Sequence, residues 1–291
     1  MERNFLIIDA NSLIHRAYHA LPPLTDSSGR PAGALYGVSS ILLKILKEIS
    51  PGYAVAAFDR PEPTFREREY SAYKEHRPEA TEDLVSQLIA SKKIFEAFGI
   101  TCLESPGFEA DDIIGTVALK ASRAENIDKV VILSGDLDVL QLVEDGKVIA
   151  WIPQKGISSF TEYGPEEVKA KLGVPPERVT DYKGLVGDSS DNIPGIQGIG
   201  PKTAADLIGK YGPLEDLYDL APEPKTAALK NVLANKETAL LSKRLATIAK
   251  DVPISFPSAE NFRFNPFPPE KLSDFLLSYG FRNLADRLAR F

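Results

Sequence analysis

The stretch KVVILSGDLD (residues 129–138) joins an apolar run to a turn rich in acids, and this combination is typical of an α/β protein. Its first six residues, KVVILS, predict a buried β-strand, because the four central ones are apolar, three of these are β-branched, and glycine follows. Four other runs in the first 150 residues have the same character and predict strands. They are FLII (5–8), YAVAAF (53–58), ITCL (100–103) and KVIAWI (147–152).

Helical patterns separate these strands. Between the first two, apolar residues from Leu35 to Ile49 recur at i, i+3 and i+4 spacing, which predicts an amphipathic helix. We expect a second helix near 82–98 and a third near 110–124. Strands that alternate with helices imply βαβ units. The sequence therefore predicts an α/β fold with a parallel-rich mixed sheet flanked by helices.

The second half of the chain has a different pattern. Strand signals stop after about residue 160, and short helical pieces cut by Gly and Pro follow: GPEEVKAKLG (164–173), PERVTDYKGLVG (176–187) and PKTAADLIGKYG (201–212). Residues 226–250 and 269–290 predict longer helices. We expect an α/β core over 1–175 and a helical part over 176–291. Residues 60–81 are polar and charged, and predict an exposed excursion above the sheet.

Composition narrows the protein class. The chain has 291 residues and one cysteine, Cys102, so no intramolecular disulfide can form and a cytoplasmic location is expected. No apolar run reaches the roughly 20 residues that span a membrane. The net charge is −7, yet the segment 225–250 holds six basic residues against one acid, Glu237. Such a run suits a nucleic-acid surface or a solvated helix face, and charge alone leaves the partner open.

Acidic residues follow the predicted strands. Asp9 comes directly after FLII, Asp59 after YAVAAF, and Asp136 two residues after KVVILS. Ligands of open parallel sheets bind at this edge. Further acids cluster in three motifs of the sequence: Glu109, Asp111 and Asp112; Asp136 and Asp138; Asp188 and Asp191.

Gathering these carboxylates costs several kcal/mol unless cations neutralise them. Oxygen ligands without His or Cys select Mg²⁺ or Mn²⁺, and two such ions can promote phosphodiester hydrolysis. Each acid also has a structural interpretation, since Asp begins turns and acids favour helix N-termini.

A glycine-rich segment, GDSSDNIPGIQGIGPKTAADLI (187–208), precedes a predicted helix. Gly195, Gly198 and Gly200 permit positive φ, and amides ahead of a helix N-terminus near Lys202 and Thr203 can hold phosphate oxygens. This is the helix-hairpin-helix pattern, which contacts the DNA backbone without reading bases. A tight helix–helix turn or a dinucleotide loop is the alternative, but a dinucleotide loop follows a strand and this one follows a helix.

These motifs together resemble the 5′-nuclease domain of bacterial DNA polymerase I and, more widely, the flap endonuclease family. The resemblance covers the chain from the first strand to the last helix. It rests on HRAYHALPPL, ALYGV, the FD at 58–59, TFR, YKEHRP, FEADDIIGT, SGDLDVLQLV, LVGDSSDNIPGIQGIGPKTA and LATIAKDVP. It implies a PIN-like flap-endonuclease core with a helical arch over about 62–82, and a helix-hairpin-helix over about 183–211.

The resemblance also implies a site. One Mg²⁺ ion is expected at Asp9, Asp59, Glu109 and Asp111, and a second at Asp112, Asp136, Asp138, Asp188 and Asp191. Mn²⁺ is expected to substitute for either ion. In the arch, the family motif corresponds to Tyr73, Lys74 and Arg77, with Arg66 close by. Lys74 and Arg77 are expected on one helix face over the scissile phosphate, and Tyr73 is expected to contact DNA.

Cofactors and partners follow from the same resemblance. K⁺ is expected at the helix-hairpin-helix, where it bridges carbonyls to a DNA phosphate. The substrate is DNA with a 5′ flap or a 5′ end, and a polymerase module, fused or separate, is a further expected partner. Two alternatives stay open: a PIN-type ribonuclease, although those domains are shorter and lack the glycine hairpin, and a non-catalytic DNA-structure-binding module.

Overall fold

A six-stranded sheet forms the centre of the computed structural model, which describes residues 3–154, 159–220, 226–265 and 268–288. Its strands are β1 Asn4–Asp9, β2 Tyr53–Ala57, β3 Thr101–Leu103, β4 Lys129–Leu133, β5 Val148–Pro153 and β6 Phe160–Tyr163. The strand order is β3-β2-β1-β4-β5-β6. The first five strands are parallel and β6 is antiparallel to β5.

The predicted parallel-rich mixed sheet is confirmed. All five predicted strands form, but β3 lies at the sheet edge and its first residue, Thr101, is exposed rather than buried. The short edge strand β6 was not predicted. Since the strand order reverses between β1 and β4, the switch point of the sheet lies at the carboxyl ends of these two strands, where ligands bind in such folds.

Helices cover both faces of the sheet in the first half of the chain. Alternate residues of β1 point to opposite faces. The helix bounds are α1 Ala10–Ala20, α2 Gly33–Ile49, α3 Phe65–Glu69, α4 Glu82–Ala97 and α5 Ala110–Ser122. Phe5 and Ile7 belong to the apolar core shared with α5, whereas Leu6 and Ile8 belong to the core shared with α1, α2 and α4. The three predicted helices form, and α1 was not predicted.

The second half is helical after β6. The helix bounds are α6 Pro165–Leu172, α7 Val179–Val186, α8 Pro201–Tyr211, α9 Leu214–Leu220, α10 Ala227–Ala234, α11 Lys236–Ala246, α12 Pro269–Ser278 and α13 Arg282–Leu288. Each of the two long predicted helices is therefore divided. The second breaks at Gly280, whose φ is 80°, and its predicted last residues, 289–290, lie outside the described ranges.

The last two helices return to the α/β core. Leu272 of α12 and Leu284 of α13 are buried in the apolar cluster that also contains Ile41 of α2. The division at residue 175/176 stays a prediction. Among the described residues, no helix is both long enough and apolar enough to cross a membrane.

The predicted helical arch over 62–82 is wrong as a continuous helix. After the five-residue helix α3, residues 71–76 form consecutive turns, and the chain then continues without a helix until α4 begins at Glu82. Lys74 has a left-handed φ of 56°, which no α-helix accommodates. Lys74 and Arg77 therefore do not share a helix face.

Candidate metal centre and nucleic-acid interface

An acidic crevice of about 240 Å³ lies at the switch point of the sheet. Strand ends supply part of its lining, because β1 ends at Asp9, and Asp59 and Asp136 follow β2 and β4. The N-terminus of α5 supplies Glu109 and Asp111. The structure therefore brings together the four acids expected at the first ion and one expected at the second.

Asp9 is held in a fixed orientation. Its Oδ1 accepts from the Ser12 amide at 2.9 Å and so caps α1, and its Oδ2 accepts from the Ser134 hydroxyl at 2.6 Å. Burial raises the pKa of Asp9 to about 7, and the hydrogen bonds from Ser134 and Ser12 only partly oppose this. A carboxylate that is desolvated and orientated in this way gains stability when a cation binds it.

Asp111 lies in the first turn of α5, and its Oδ1 is buried without a hydrogen-bond partner. Burial raises its pKa well above the usual range, and the nearby Asp9 and Asp136 raise it further. An unpaired buried oxygen among carboxylates is costly. This oxygen is the strongest structural indication that a cation belongs in the crevice.

The donor set fits a hard divalent ion, since it consists of carboxylate oxygens. Among the described residues, however, no three His, Cys, Asp or Glu side chains are grouped closely enough to hold an ion as they stand. Several of the acids are instead paired with cationic side chains of the chain itself. Lys74 and Arg77 line the crevice, whereas Lys183 lies in a neighbouring cavity that shares Asp136 with it.

The turn segment 70–77 closes over Glu109 and Asp191. The Lys74 ammonium lies 2.9 Å from Glu109 Oε2 and 3.7 Å from Asp191 Oδ2, and Arg77 donates to Asp191 Oδ1. Burial disfavours the ammonium, but Glu109 and Asp191 raise the pKa of Lys74 above its usual value. Lys74 and Arg77 therefore both lie at the crevice, but they belong to a turn segment and not to a helix.

Tyr73 does not occupy the DNA-contacting position expected of it. Its ring is buried, and its hydroxyl donates to Asp191 Oδ2 at 3.0 Å, with Glu109 Oε2 at 3.2 Å. The hydroxyl therefore holds Glu109 of the crevice and the nearby Asp191 in place from within the protein.

A second acid pair faces Lys183 of α7. The Lys183 ammonium contacts Asp138 Oδ1 and lies 2.6 Å from Asp188 Oδ2. These two acids and Asp191 were expected at the second ion, and here each has a basic partner. Lys183 was missed in the sequence. In the sequence, Lys183 is marked only by its position five residues before Asp188, and this spacing does not distinguish it from a surface lysine.

Asp112 and Arg66 are displaced from their expected roles. Asp112 is fully buried, and both of its oxygens accept from the Arg66 guanidinium at 2.8 Å. The same carboxylate accepts from the amides of Glu109 at 3.0 Å and Ala249 at 2.8 Å. Neither side chain lines the crevice. The ligand role expected for Asp112 and the catalytic role expected for Arg66 beside the arch motif are therefore corrected to a buried structural ion pair.

Other crevice residues were also missed. Asn11, Ser12 and His15 line it from α1. Burial lowers the pKa of His15, and the neighbouring His19 and Arg77 lower it further. Asn11, Ser12 and His15 lie within the sequence DANSLIHRAYHALPPL, at a spacing consistent with one helix. Because α1 was not predicted, these residues were not recognised as part of the site.

The glycine segment joins α7 to α8 as a hairpin of helices. Gly195 has a φ of 59°, and a Cβ there would lie 2.3 Å from the Gly187 amide. Its own amide donates to Ser242 Oγ at 3.1 Å, so Gly195 serves packing rather than the expected DNA contact.

Gly198 and Gly200 lie on the open side of the hairpin, where an added Cβ would meet nothing within 4 Å. Lys202 is exposed in the first turn of α8, and Thr203 follows it half-buried. This face of the hairpin is thus accessible to a phosphate backbone.

The basic run over 225–250 is only partly a free surface. Lys243 pairs with Asp181 and Glu215, and Arg244 pairs with Glu69. The remaining described lysines of the run are exposed: Lys230, Lys236 and Lys250. Lys225 lies outside the described residues.

The sheet topology, the acidic crevice and the adjoining helical hairpin define a fold of the PIN-like flap-nuclease class. The family model for the 5′-3′ exonuclease N-terminal resolvase-like domain matches residues 4–173, and that for the 5′-3′ exonuclease C-terminal SAM fold matches residues 174–270. The chain belongs to the 5′-3′ exonuclease family.

Relatives and solved structures agree with this assignment. DNA polymerase I of Caldicellulosiruptor bescii is 38% identical over 284 residues, covering 97% of this chain and 33% of the relative. DNA polymerase I of Bacillus subtilis is 38% identical over 287 residues, covering 98% and 32%. The chain thus spans about a third of the length of these relatives.

Among solved structures, the T5 D15 protein co-crystallised with metal ions superposes with a TM-score of 0.72 at 20% identity, covering 99% of this chain and 97% of that one. The catalytic core of Rad2 in complex with DNA substrate gives a TM-score of 0.62 at 17% identity, covering 99% and 92%. At these identities the likeness concerns the fold.

Proposed function

We propose that this chain hydrolyses DNA phosphodiester bonds at 5′ ends and 5′ flaps with two divalent metal ions, in primer or flap removal during replication and repair. The observation that carries the proposal is the buried, unpartnered Oδ1 of Asp111 among the acids of the crevice. The named relatives are DNA polymerases I, and the named structures are a T5 D15 protein co-crystallised with metal ions and a catalytic core of Rad2 in complex with DNA substrate; these support the proposal.

The proposed first ion is Mg²⁺, replaceable by Mn²⁺, held by Asp9, Asp59, Glu109 and Asp111. The proposed second ion is held by Asp136, Asp138, Asp188 and Asp191. When bound, such ions supply the charge that activates a water and neutralises the leaving oxygen.

The chain's own residues orient the substrate in this proposal. Lys74 and Arg77 exchange their present carboxylate partners for the scissile phosphate, to which a flexible ammonium and a planar guanidinium both donate well. Ser134 keeps Asp9 aligned for its role in the crevice. The expected products carry a 3′-hydroxyl and a 5′-phosphate.

We further propose that the open side of the hairpin, at Gly198, Gly200, Lys202 and Thr203, binds the duplex backbone, with K⁺ between its carbonyls and a phosphate. The small residues leave the backbone open to close approach, and α8 directs its N-terminus toward this surface. A polymerase module, fused or separate, is the proposed partner, by analogy with the longer relatives.

A substrate panel tests the proposal. Single-turnover cleavage is measured on a 5′-flap duplex, a blunt duplex, a 3′-flap duplex and an all-RNA strand, each with Mg²⁺ or with excess EDTA. We expect cleavage of the 5′-flap and 5′-ended DNA only, and only with Mg²⁺. Preferential cleavage of the RNA strand would indicate a PIN-type ribonuclease instead, and DNA binding without cleavage would indicate a binding module.

A further inference from the structure

The Lys183 side chain occupies an unusual position for a lysine of a helix surface. It projects from the last turn of α7 and is only 12% exposed. Its ammonium contacts Asp138, which follows β4, and Asp188, which follows α7. One cation therefore neutralises two acids from different elements, beside a cavity also lined by Asp136 and Tyr182.

Asp138 and Asp188 would be strongly repulsive without this ammonium, because both are at least four-fifths buried. Asp9 and Asp111, on the other side of the crevice, have no salt bridge to a basic residue within the described ranges. The two groups of acids are therefore in different electrostatic states.

A divalent ion held by Asp138 and Asp188 would draw on the same two carboxylates that the ammonium contacts, through Asp138 Oδ1 and Asp188 Oδ2. An oxygen that accepts a hydrogen bond from the ammonium is less available to coordinate an ion, and the two positive charges repel each other in a partly desolvated site. The ion and the ammonium therefore compete for this pair of acids.

We propose that Lys183 is a tethered cation that occupies the Asp138–Asp188 pair in the metal-free protein and competes directly with the second divalent ion. This inference rests on the proposed two-ion function. Lys183 is then a positioning residue: it preserves the acid pair before the ion arrives, and it makes the second site weaker than the first.

Mn²⁺ binding to the protein without DNA tests the competition. Free Mn²⁺ is counted by electron paramagnetic resonance during a titration of the wild type and three variants. Lys183→Met keeps the length of the side chain but removes the charge, Lys183→Arg keeps the charge, and Lys171→Met removes the charge of an exposed lysine of α6.

We expect one tight and one weak ion in the wild type. Lys183→Met should tighten the weak ion at least tenfold and leave the tight ion unchanged, whereas Lys183→Arg and Lys171→Met should bind as the wild type does. Metal-free Lys183→Met should also melt at a lower temperature and recover on Mn²⁺ addition, because the acid pair has lost its cation. A weak site that is unchanged or weakened in Lys183→Met overturns the inference.

A wild-type measurement keeps the inference testable if Lys183→Met does not fold. In crystals soaked with Mn²⁺, anomalous scattering at Asp138 and Asp188 should be accompanied by movement of the Lys183 ammonium out of hydrogen-bond distance. An ion at this pair with the ammonium still in place contradicts the competition alone. Absence of any bound ion in the wild type, by either method, contradicts the proposed function as well.

Discussion

Replacing Asp112 by Asn should destabilise the fold while leaving metal binding intact. Asp112 is fully buried, accepts two hydrogen bonds from Arg66 and also accepts from the Ala249 amide. Arg66 in turn donates to the carbonyls of Leu245 and Thr247, each at 2.8 Å. The pair thus connects the start of the excursion above the sheet, α5 and the segment after α11.

The magnitude follows from burial. Removing one partner of a buried ion pair costs roughly 3–5 kcal/mol, because the remaining charge stays desolvated. Asn keeps the shape and one acceptor, so we expect a loss of about 3 kcal/mol, or a melting temperature lower by roughly 6–12 °C. The assay is thermal and urea unfolding in EDTA, paired with a Mn²⁺ titration.

Asp136→Asn is the matched control, because it makes the same chemical change in the acidic crevice. It should weaken metal binding without lowering the stability of the metal-free protein, since it removes one of several like charges. If Asp112→Asn lost an ion and kept its stability, Asp112 would be a ligand and the structural assignment would be refuted.

Three further outcomes are expected. Gly198→Ala should weaken duplex binding measured in Ca²⁺ by fluorescence anisotropy, because its φ of 83° strains any Cβ at the proposed phosphate contact, whereas Gly29→Ala, with a φ of 78° and equally open space, should bind normally. Lys74→Met should slow single-turnover cleavage roughly 100-fold and change the DNA dissociation constant far less, and the exposed Lys93→Met should do neither. In EDTA, Asp9 should lower the free energy of unfolding as the pH rises from about 4 to 7. In the folded protein the pKa of Asp9 is about 7, so the folded state binds this proton more tightly than the unfolded chain does. Asp9→Asn should therefore flatten the pH dependence of the melting temperature. Mn²⁺ should raise the melting temperature of the wild type more at pH 8 than at pH 5.5, because Asp9 is then ionised.

The sheet was predictable because its central strands are buried on both faces. Runs such as FLII in β1 are short, continuous apolar stretches. Because predicted helices separate these runs, their assignment as buried strands of a parallel sheet is unambiguous. The edge strand β6 has no such signal, since it has only four residues and none of them is fully buried. The helix α1 was missed because it follows Asp9 without a turn and its sequence is mixed in polarity.

The acids of the crevice were predictable from topology, because the carboxyl ends of parallel strands must meet. The partners of the acids were not, because they depend on distances across the fold. Arg66 and Asp112 are 46 residues apart, and nothing in the local sequence distinguishes a buried ion pair from a catalytic arginine and a metal ligand. The ion pair between Lys183 and Asp138 was likewise not predictable from the local sequence. The burial of Tyr73 was not predictable either, because it depends on the turn segment closing over Glu109.

Single-turnover cleavage of a 5′-flap duplex by Asp111→Asn tests the central claim most directly. Asp111 contributes the buried oxygen that lacks a partner, so replacing it with an amide should abolish Mg²⁺-dependent cleavage while the metal-free fold melts at an equal or higher temperature. Asp145→Asn, which makes the same change at an exposed turn, should cleave as the wild type does. Wild-type cleavage by Asp111→Asn at limiting Mg²⁺ would contradict a metal-dependent reaction in this crevice.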